Sequence, residues 1–264
     1  MNRGRSTMAA LAASAGGIAL ILVGWEIAAR GVGAAIILPG PTAAMIALWG
    51  ELTAPAFYPH LFATLLRALA GFGLAFVAGV AWGLVAGSRG IFGSVLRPLL
   101  VLIRATPVIA VILLALIWFR PNIAPVFVTL LMVVPVIVEN VSAGVRAASG
   151  ELLEMASLFG VPRSRRLRRL TLPALRPYLF AGAHSGLGMA FKVTVAAEVL
   201  VQPARALGGA MQEARFYLDT PRILALTVAV IALSALAEGA LQLVERLASR
   251  EVRLRRRSGA DRSD

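Results

Sequence analysis

The sequence predicts an all-α membrane protein with about six transmembrane helices. Hydrophobic residues make up 59% of the chain and charged residues only 15%, the mean hydropathy is +0.82, and the apolar residues are gathered in long runs. Soluble domains contain roughly 45–50% apolar and about 25% charged residues, so this chain needs lipid as its solvent. Its 264 residues allow about six spans of about 20 residues each, with modest loops and no second catalytic domain.

Six apolar runs are the candidate helices. The first run follows Arg3 and Arg5 in the manner of a signal peptide, but because further apolar runs come after it, we interpret it as a retained span. Glycines and prolines inside several runs are tolerated in membranes, where they permit close helix packing and local kinks. The six runs are residues 8–29, 68–87, 98–119, 121–138, 177–201 and 223–244.

The distribution of arginines predicts the orientation of the helices. Most of the 26 Lys and Arg residues lie in the N-terminus, in residues 88–97, in residues 139–176 and after residue 244, which are alternate connections of the predicted bundle. Short loops rich in Lys and Arg remain in the cytoplasm. We therefore expect a multi-pass protein of the bacterial inner membrane with both termini cytoplasmic. Its net charge of +13 then indicates contact with anionic lipids and not with nucleic acid.

The composition argues against several kinds of chemistry. The chain has no Cys, which excludes disulfides and thiolate metal sites. Its single lysine, Lys192, does not stand in a glycine-rich phosphate-binding loop, so ATP hydrolysis requires another polypeptide. His60 and His184 form no metal-binding motif and are interpreted as structural, and Ser185 has no acid partner. We expect no enzymatic activity, cofactor or metal in this chain.

Three charged residues inside predicted spans are candidates for a pathway or gate: Arg104, Lys192 and Glu198. A charge in the bilayer must face protein or water. Lys192 and Glu198 are six residues apart on one helix and therefore point to different faces. Two interpretations of Lys192 remain open. It faces a pathway and attracts an anion, or it forms a buried ion pair with Glu26 or Glu238.

The polar loop 139–176 carries two predicted short helices around a Gly-Val-Pro turn. Small residues four apart share one helix face and permit close approach of a partner, and the glycine also allows the turn. Glu154 is placed for the helix dipole and for a polar contact. The residues of this spaced motif are Glu154, Met155, Ala156, Gly160, Leu170, Leu172 and Pro173.

This spacing resembles the loop signature of the permeases of binding-protein-dependent ABC importers of type I, which reads Glu-Ala-Ala, three residues, Gly, nine residues, Ile, one residue, Leu-Pro. Met155 and Leu170 are apolar exchanges within that pattern. Other segments resemble the nitrate, sulfonate and taurine branch of those permeases. They are residues 38–41, 60–67, 71–73, 97–98, 106–110 and 195–198.

The resemblance implies a function and a set of partners. Two permease copies form the substrate pathway, cytoplasmic ATP-binding subunits drive it, and an extracytoplasmic solute-binding protein delivers the substrate. The loop motif would be a cytoplasmic coupling helix between helices 4 and 5. Residues 1–264 would be one permease domain with its core at 60–247, a coupling loop at 139–176 and a basic, lipid-facing tail at 248–264.

The substrate implied by the resemblance is a small anion such as nitrate, a sulfonate or a taurine-like compound, and a cofactor precursor is the alternative. A secondary transporter or channel also explains helices with buried charges, but it leaves the spaced loop motif unexplained. An intramembrane enzyme would need a catalytic constellation, and the sequence shows none.

Overall fold

The computed structural model describes residues 3–87, 91–147, 155–156, 158–166 and 170–260, and these ranges contain helices and no strand. The all-α prediction is therefore confirmed. The helices are α1 (Arg3–Val32), α2 (Pro41–Thr53), α3 (Phe57–Gly87), α4 (Ile91–Ala105), α5 (Val108–Trp118), α6 (Ala124–Ala147), α7 (Arg163–Arg166), α8 (Leu172–Val201), α9 (Leu207–Phe216) and α10 (Thr220–Ala260).

Among the described residues, four helices are long and apolar enough to cross a membrane: α3, α6, α8 and residues Thr220–Ala248 of α10. A fifth span results if α4 and α5 are counted together, although their segments Pro98–Ala105 and Val108–Trp118 meet at 93°. The sequence predicted one helix across this bend. Pro107 explains the break, because it donates no backbone hydrogen bond and disfavours helical backbone before it. The count of six spans stays a prediction.

Helix α6 extends beyond the predicted start of the polar loop at residue 139. It continues to Ala147, and α8 already begins at Leu172. Polar side chains on α6 are accommodated locally: the side chain of Asn140 donates to the carbonyl of Val136, and that of Ser142 to the carbonyl of Glu139. The apolar residues between them are buried, so the helix keeps a packed face while it carries polar groups.

Helices α3 and α6 run parallel and pack very closely. A Cβ atom added to Gly79 would lie 2.6 Å from Cβ of Ile137, and one added to Gly83 would lie 2.5 Å from Cβ of Val141. Gly71 meets Thr129 in the same way. Small residues spaced by four allow membrane helices to approach backbone to backbone. The glycines of α3 are thus the reason that these two helices can touch.

Helix α8 packs antiparallel on α6. The hydroxyl groups of Thr129 and Thr194 are hydrogen-bonded at 2.7 Å, and further along Gly186 meets Ile137. Helices α3, α6 and α8 therefore form the centre of the bundle. We call the end where α8 finishes the Glu198 end, and the opposite end, where α8 begins, the Gly160 end.

Candidate functional site

The short helix before Gly160 ends in a defined C-cap. Gly160 has a φ of +66°, and the backbone N–H of Val161 donates to the carbonyl of Ala156 at 2.9 Å. A left-handed residue with this hydrogen bond is a Schellman C-cap, a position that favours glycine. The predicted turn at Gly160 is confirmed. Nothing lies within 4 Å of the place where its Cβ would be, so its surface is open.

Large apolar side chains next to this C-cap are exposed. Leu158 is 86% exposed and Phe159 is 81% exposed, and Met155 is also exposed. Clusters of this kind on a soluble surface usually mark an interaction site. Glu154 lies outside the described residues. Ala156 is half-buried, in agreement with a helix face that packs at least partly on protein.

The second half of the motif lies at the start of α8. Leu170 is half-buried, whereas Leu172 and Pro173 are exposed. Pro173 occupies the first turn of α8, where its missing N–H costs no helical hydrogen bond. The structure therefore places all the described motif residues at one end of the bundle, on both sides of α7.

Lys192 lies on the outer surface of the central bundle. Its side chain is exposed, and no carboxylate among the described residues forms an ion pair with it. The alternative of a buried pair with Glu26 or Glu238 is therefore wrong for this arrangement. Lys192 stands between the levels of Thr194 and Gly186, which face Thr129 and Ile137 of α6. Thr129 and Ile137 in turn contact Gly71 and Gly79, which lie in the uncharged run 68–87 of α3.

The face of α8 around Lys192 differs from the apolar face of α10. Ala181, Ser185 and Ala196 are exposed together with Lys192, and helical geometry places these four within about 60° of one another. This stripe consists of small or polar side chains. By contrast, one exposed face of α10 carries the bulky apolar side chains of Leu236, Leu243, Val244 and Leu247, whereas Gln242 and Arg246 lie on its other exposed face.

Arg104 forms an ion pair with Glu139, with 2.9 Å between Nη1 and Oε2. The pair joins the last turn of α4 to α6, and each side chain is 58% exposed. Glu139 stands between Ile137 and Val141, which meet Gly79 and Gly83 of α3. The pair is thus level with the uncharged run of α3, like Lys192.

Glu198 is fully buried at the Glu198 end, so it does not share the exposed face of Lys192. Its Oε1 accepts from Nη1 of Arg67 at 2.7 Å, and its Oε2 accepts from the hydroxyl of Thr64 at 2.8 Å. The backbone N–H of Gly208 also donates to Oε2, at 3.3 Å. The prediction that Lys192 and Glu198 do not pair is confirmed.

Arg67 connects this carboxylate to two turns of the chain. It donates to the carbonyl of Arg205 at 2.8 Å and to the side-chain oxygen of Asn122 at 2.9 Å. Thr64 accepts in addition from the backbone N–H of Leu207 at 2.9 Å. The network therefore fixes the α5–α6 turn and the start of α9 onto α3 and α8.

A family model described as binding-protein-dependent transport system inner membrane component matches residues 75–250, which contain α8 and the loop motif. The chain belongs to this family. It is 32% identical over 232 residues to the riboflavin transport system permease protein RibX of Chloroflexus aurantiacus, and the match covers 86% of this chain and 85% of that one. It is 27% identical over 194 residues to the nitrate import permease protein NrtB of Synechocystis, with 70% of each chain covered.

A solved structure shares the fold of this permease. The crystal structure of an amino acid ABC transporter with histidines superposes with a TM-score of 0.59, covering 75% of this chain and 94% of that chain at 18% identity. The protein is thus an ABC importer permease subunit, a multi-pass component of the inner membrane. The predicted family resemblance is confirmed.

The sequence did not reveal the role of Arg67 in this permease. We predicted it to lie in a connection before the second span, whereas it stands inside α3 with only 10% of its side chain exposed. We ended the apolar run at Arg67 because this residue is charged. Hydropathy alone cannot show that a carboxylate on another helix compensates its charge. The available signal was the resemblance itself, because residues 60–67 and 195–198 are two of the segments that carry it.

The histidines have protein partners. Nδ1 of His60 accepts from the backbone N–H of Ala206 at 3.0 Å, next to the same turn that Arg67 holds. His184 on α8 lies 3.1 Å from a carboxylate oxygen of Glu245 on α10. Both contacts agree with the predicted structural role.

Proposed function

We propose that this permease imports a small anion along the face of α8 that carries Lys192, and that a separate cytoplasmic ATPase drives it through residues 154–173. A second copy of the chain would complete the pathway, and an extracytoplasmic solute-binding protein would deliver the anion. The observation that carries the proposal is that Lys192 is exposed at the level of uncharged helix segments and has no ion-pair partner among the described residues.

The cost of a charge in lipid supports the pathway. A lysine at the centre of a bilayer costs about 2.5–3.5 kcal/mol even on insertion scales, unless it faces protein or water. The stripe around Lys192 is small and polar, which suits close contact with a second copy or a water-filled pathway. The face of α10 that carries Leu236, Leu243, Val244 and Leu247 is bulky and apolar, which suits acyl chains.

The Gly160 end supports ATPase coupling. Leu158 and Phe159 are large apolar side chains that are exposed in the isolated subunit. A groove on a partner would remove them from water, at about 25 cal/mol for each Å² of apolar surface buried. The C-cap at Gly160 restricts the conformation of the segment that carries Leu158 and Phe159, so less conformational entropy is lost on docking.

The excess of arginine around residues 88–97 and 139–176 and in the C-terminal tail supports a cytoplasmic Gly160 end. The same arginines would contact anionic lipid headgroups and not nucleic acid. In this orientation the Glu198 end faces the solute-binding protein, and the ATP-binding subunit occupies the opposite side. The basic residues 248–264 then form a cytoplasmic tail.

The unpaired positive charge favours an anionic substrate, and the similarity to a nitrate import permease agrees with it. The similarity to a riboflavin permease keeps a cofactor precursor as the alternative. The chain is 32% identical to the riboflavin permease and 27% identical to the nitrate permease. These values are too similar to select between the two substrates.

Uptake of labelled probes tests the proposal. Cells that contain the complete transporter are compared with cells that lack this chain, with nitrate, taurine and riboflavin as probes. We expect uptake of nitrate or taurine that stops when ATP is depleted and persists when a protonophore collapses the proton gradient at constant ATP. Uptake that follows the gradient would indicate a secondary transporter, and uptake of riboflavin alone would select the cofactor-precursor alternative.

A further inference from the structure

Two arginines pair with glutamates in very different ways. Arg67 is only 10% exposed, and its guanidinium donates to three acceptors in the protein. Arg104 is 58% exposed, and its contact with Glu139 is the one polar contact of its guanidinium with the described residues. A guanidinium offers five N–H donors in a planar fork. Arg104 therefore retains donors for a second acceptor, whereas Arg67 is nearly buried and already donates to three acceptors.

Arg104 and Lys192 each adjoin a residue that packs against the same apolar cluster. Arg104 ends α4, next to the 93° bend into α5. Its neighbour Ile103 packs against the same apolar cluster as Met189, which stands one turn before Lys192 on α8. Glu139 lies about two helical turns, or about 12 Å, further towards the Gly160 end than Lys192. A solute that moves from the Glu198 end would meet Lys192 first and Arg104 second.

We propose that Arg104 is a second oxyanion-binding residue of the pathway, and that Glu139 occupies its guanidinium until the oxyanion of a solute displaces this carboxylate. The inference rests on the proposed function and names a chemical class for it: a nitrate, sulfonate or carboxylate group, which matches the fork of a guanidinium. Because the oxyanion of the solute replaces the carboxylate of Glu139, Arg104 keeps an anionic partner while the solute passes. Release of Glu139 also removes the ion pair that joins the end of α4 to α6.

The absence of Cys makes thiol labelling a direct test. The variants Glu139→Cys and Arg104→Cys are prepared in the complete transporter and labelled with sulfonatoethyl methanethiosulfonate, which is negative, and with its positive trimethylammonium counterpart. In Glu139→Cys the free Arg104 should make the negative reagent react about fivefold faster than the positive one. Nitrate should slow this reaction more than chloride at equal ionic strength. In Arg104→Cys the remaining Glu139 should reverse the charge preference.

Two control sites set the scale of these rates. Ala196→Cys lies on the stripe beyond Lys192, towards the Glu198 end and away from the level of Arg104, and it reports the charge preference of the pathway itself. Leu243→Cys lies on the apolar face of α10, where a thiol in lipid should scarcely react. Both charge-pair positions are exposed, so we expect the variants to fold, and recovery of the ATPase with each variant checks this independently. If one of them is not recovered, the other carries the same test with the opposite sign.

The outcomes separate this inference from the proposed function. A fivefold preference at Glu139→Cys with protection by nitrate supports it. Equal rates for the two reagents, or equal protection by nitrate and chloride, would overturn the role of Arg104 and leave the permease function intact. Labelling at Glu139→Cys as slow as at Leu243→Cys, while Ala196→Cys reacts, would place the pair outside the pathway and also overturn it.

Discussion

Arg67 on α3 and Glu198 on α8 form a buried ion pair, with 2.7 Å between Nη1 and Oε1. The two residues are far apart in sequence, and each belongs to a segment that resembles the same branch of permeases. Their partners include the backbone at Arg205 and Gly208, so the pair also determines where α9 begins. A Cβ atom at Gly208 would lie 2.6 Å from the carbonyl oxygen of Val195, which shows how closely this turn approaches α8.

Substitution of Glu198 by Gln should strongly destabilise the permease. It leaves Arg67 charged and buried without its carboxylate, which costs about 3–5 kcal/mol. This loss corresponds to a fall in the unfolding midpoint of about 10 °C for the detergent-purified protein. Arg104→Met is the matched control, because an exposed pair contributes less than about 1 kcal/mol. Equal midpoints for Glu198→Gln and the wild type would contradict the structural role of the pair.

Substitution of Gly83 by Ala should disrupt the contact of α3 with α6. The added Cβ would lie 2.5 Å from Cβ of Val141, and both positions are in the helix interior, where little can shift. Gly73→Ala is the control in the same helix, because nothing lies within 4 Å of its Cβ position. We expect a loss of about 1–3 kcal/mol for Gly83→Ala and none for Gly73→Ala, measured by thermal unfolding. Similar effects at the two positions would refute the close parallel packing.

The hydroxyl pair of Thr129 and Thr194 should show strong coupling. Thr194→Val leaves the hydroxyl of Thr129 buried without its partner, at a cost of about 1–3 kcal/mol. Substitution of both residues by Val removes the unsatisfied group and should recover part of this loss. A double-mutant cycle with thermal unfolding measures the coupling. Additive losses would show that the two hydroxyl groups do not interact.

Much of the fold follows from the sequence, because apolar length and arginine distribution are properties of single segments. The turn at Gly160 was also predictable, because glycine readily adopts the positive φ of a helix C-cap and Pro162 cannot continue the helix. The bend at Pro107 has a local cause, but prolines are also tolerated inside membrane helices, so the sequence did not distinguish a break from a continuous span. The extension of α6 past Glu139 depends on tertiary contacts. Likewise, no local pattern shows that Arg67 meets Glu198, because their pairing is decided by the register of α3 against α8.

Substitution of Lys192 by Met should abolish uptake of an anionic probe and leave the assembly intact. Lys192 is exposed and pairs with no carboxylate among the described residues, so its loss removes no internal contact. Lys192→Arg keeps the positive charge and should retain part of the uptake. The measurements are nitrate or taurine uptake and recovery of the ATPase with each variant. Normal uptake by the Met variant would eliminate the role of Lys192 in the pathway.

The central claim is that a separate ATPase docks on the exposed segment before Gly160. The most direct measurement is to purify the chain gently from its membrane and to determine which ATP-binding subunit accompanies it, for the wild type and for Leu158→Ser with Phe159→Ser. Phe216→Ser is the matched control, because Phe216 is similarly exposed near the Glu198 end. We predict a stoichiometric ATPase with the wild type and the control, and its loss in the double variant while the bundle stays folded. Equal recovery with all three proteins, or none with the intact wild type, would contradict the claim.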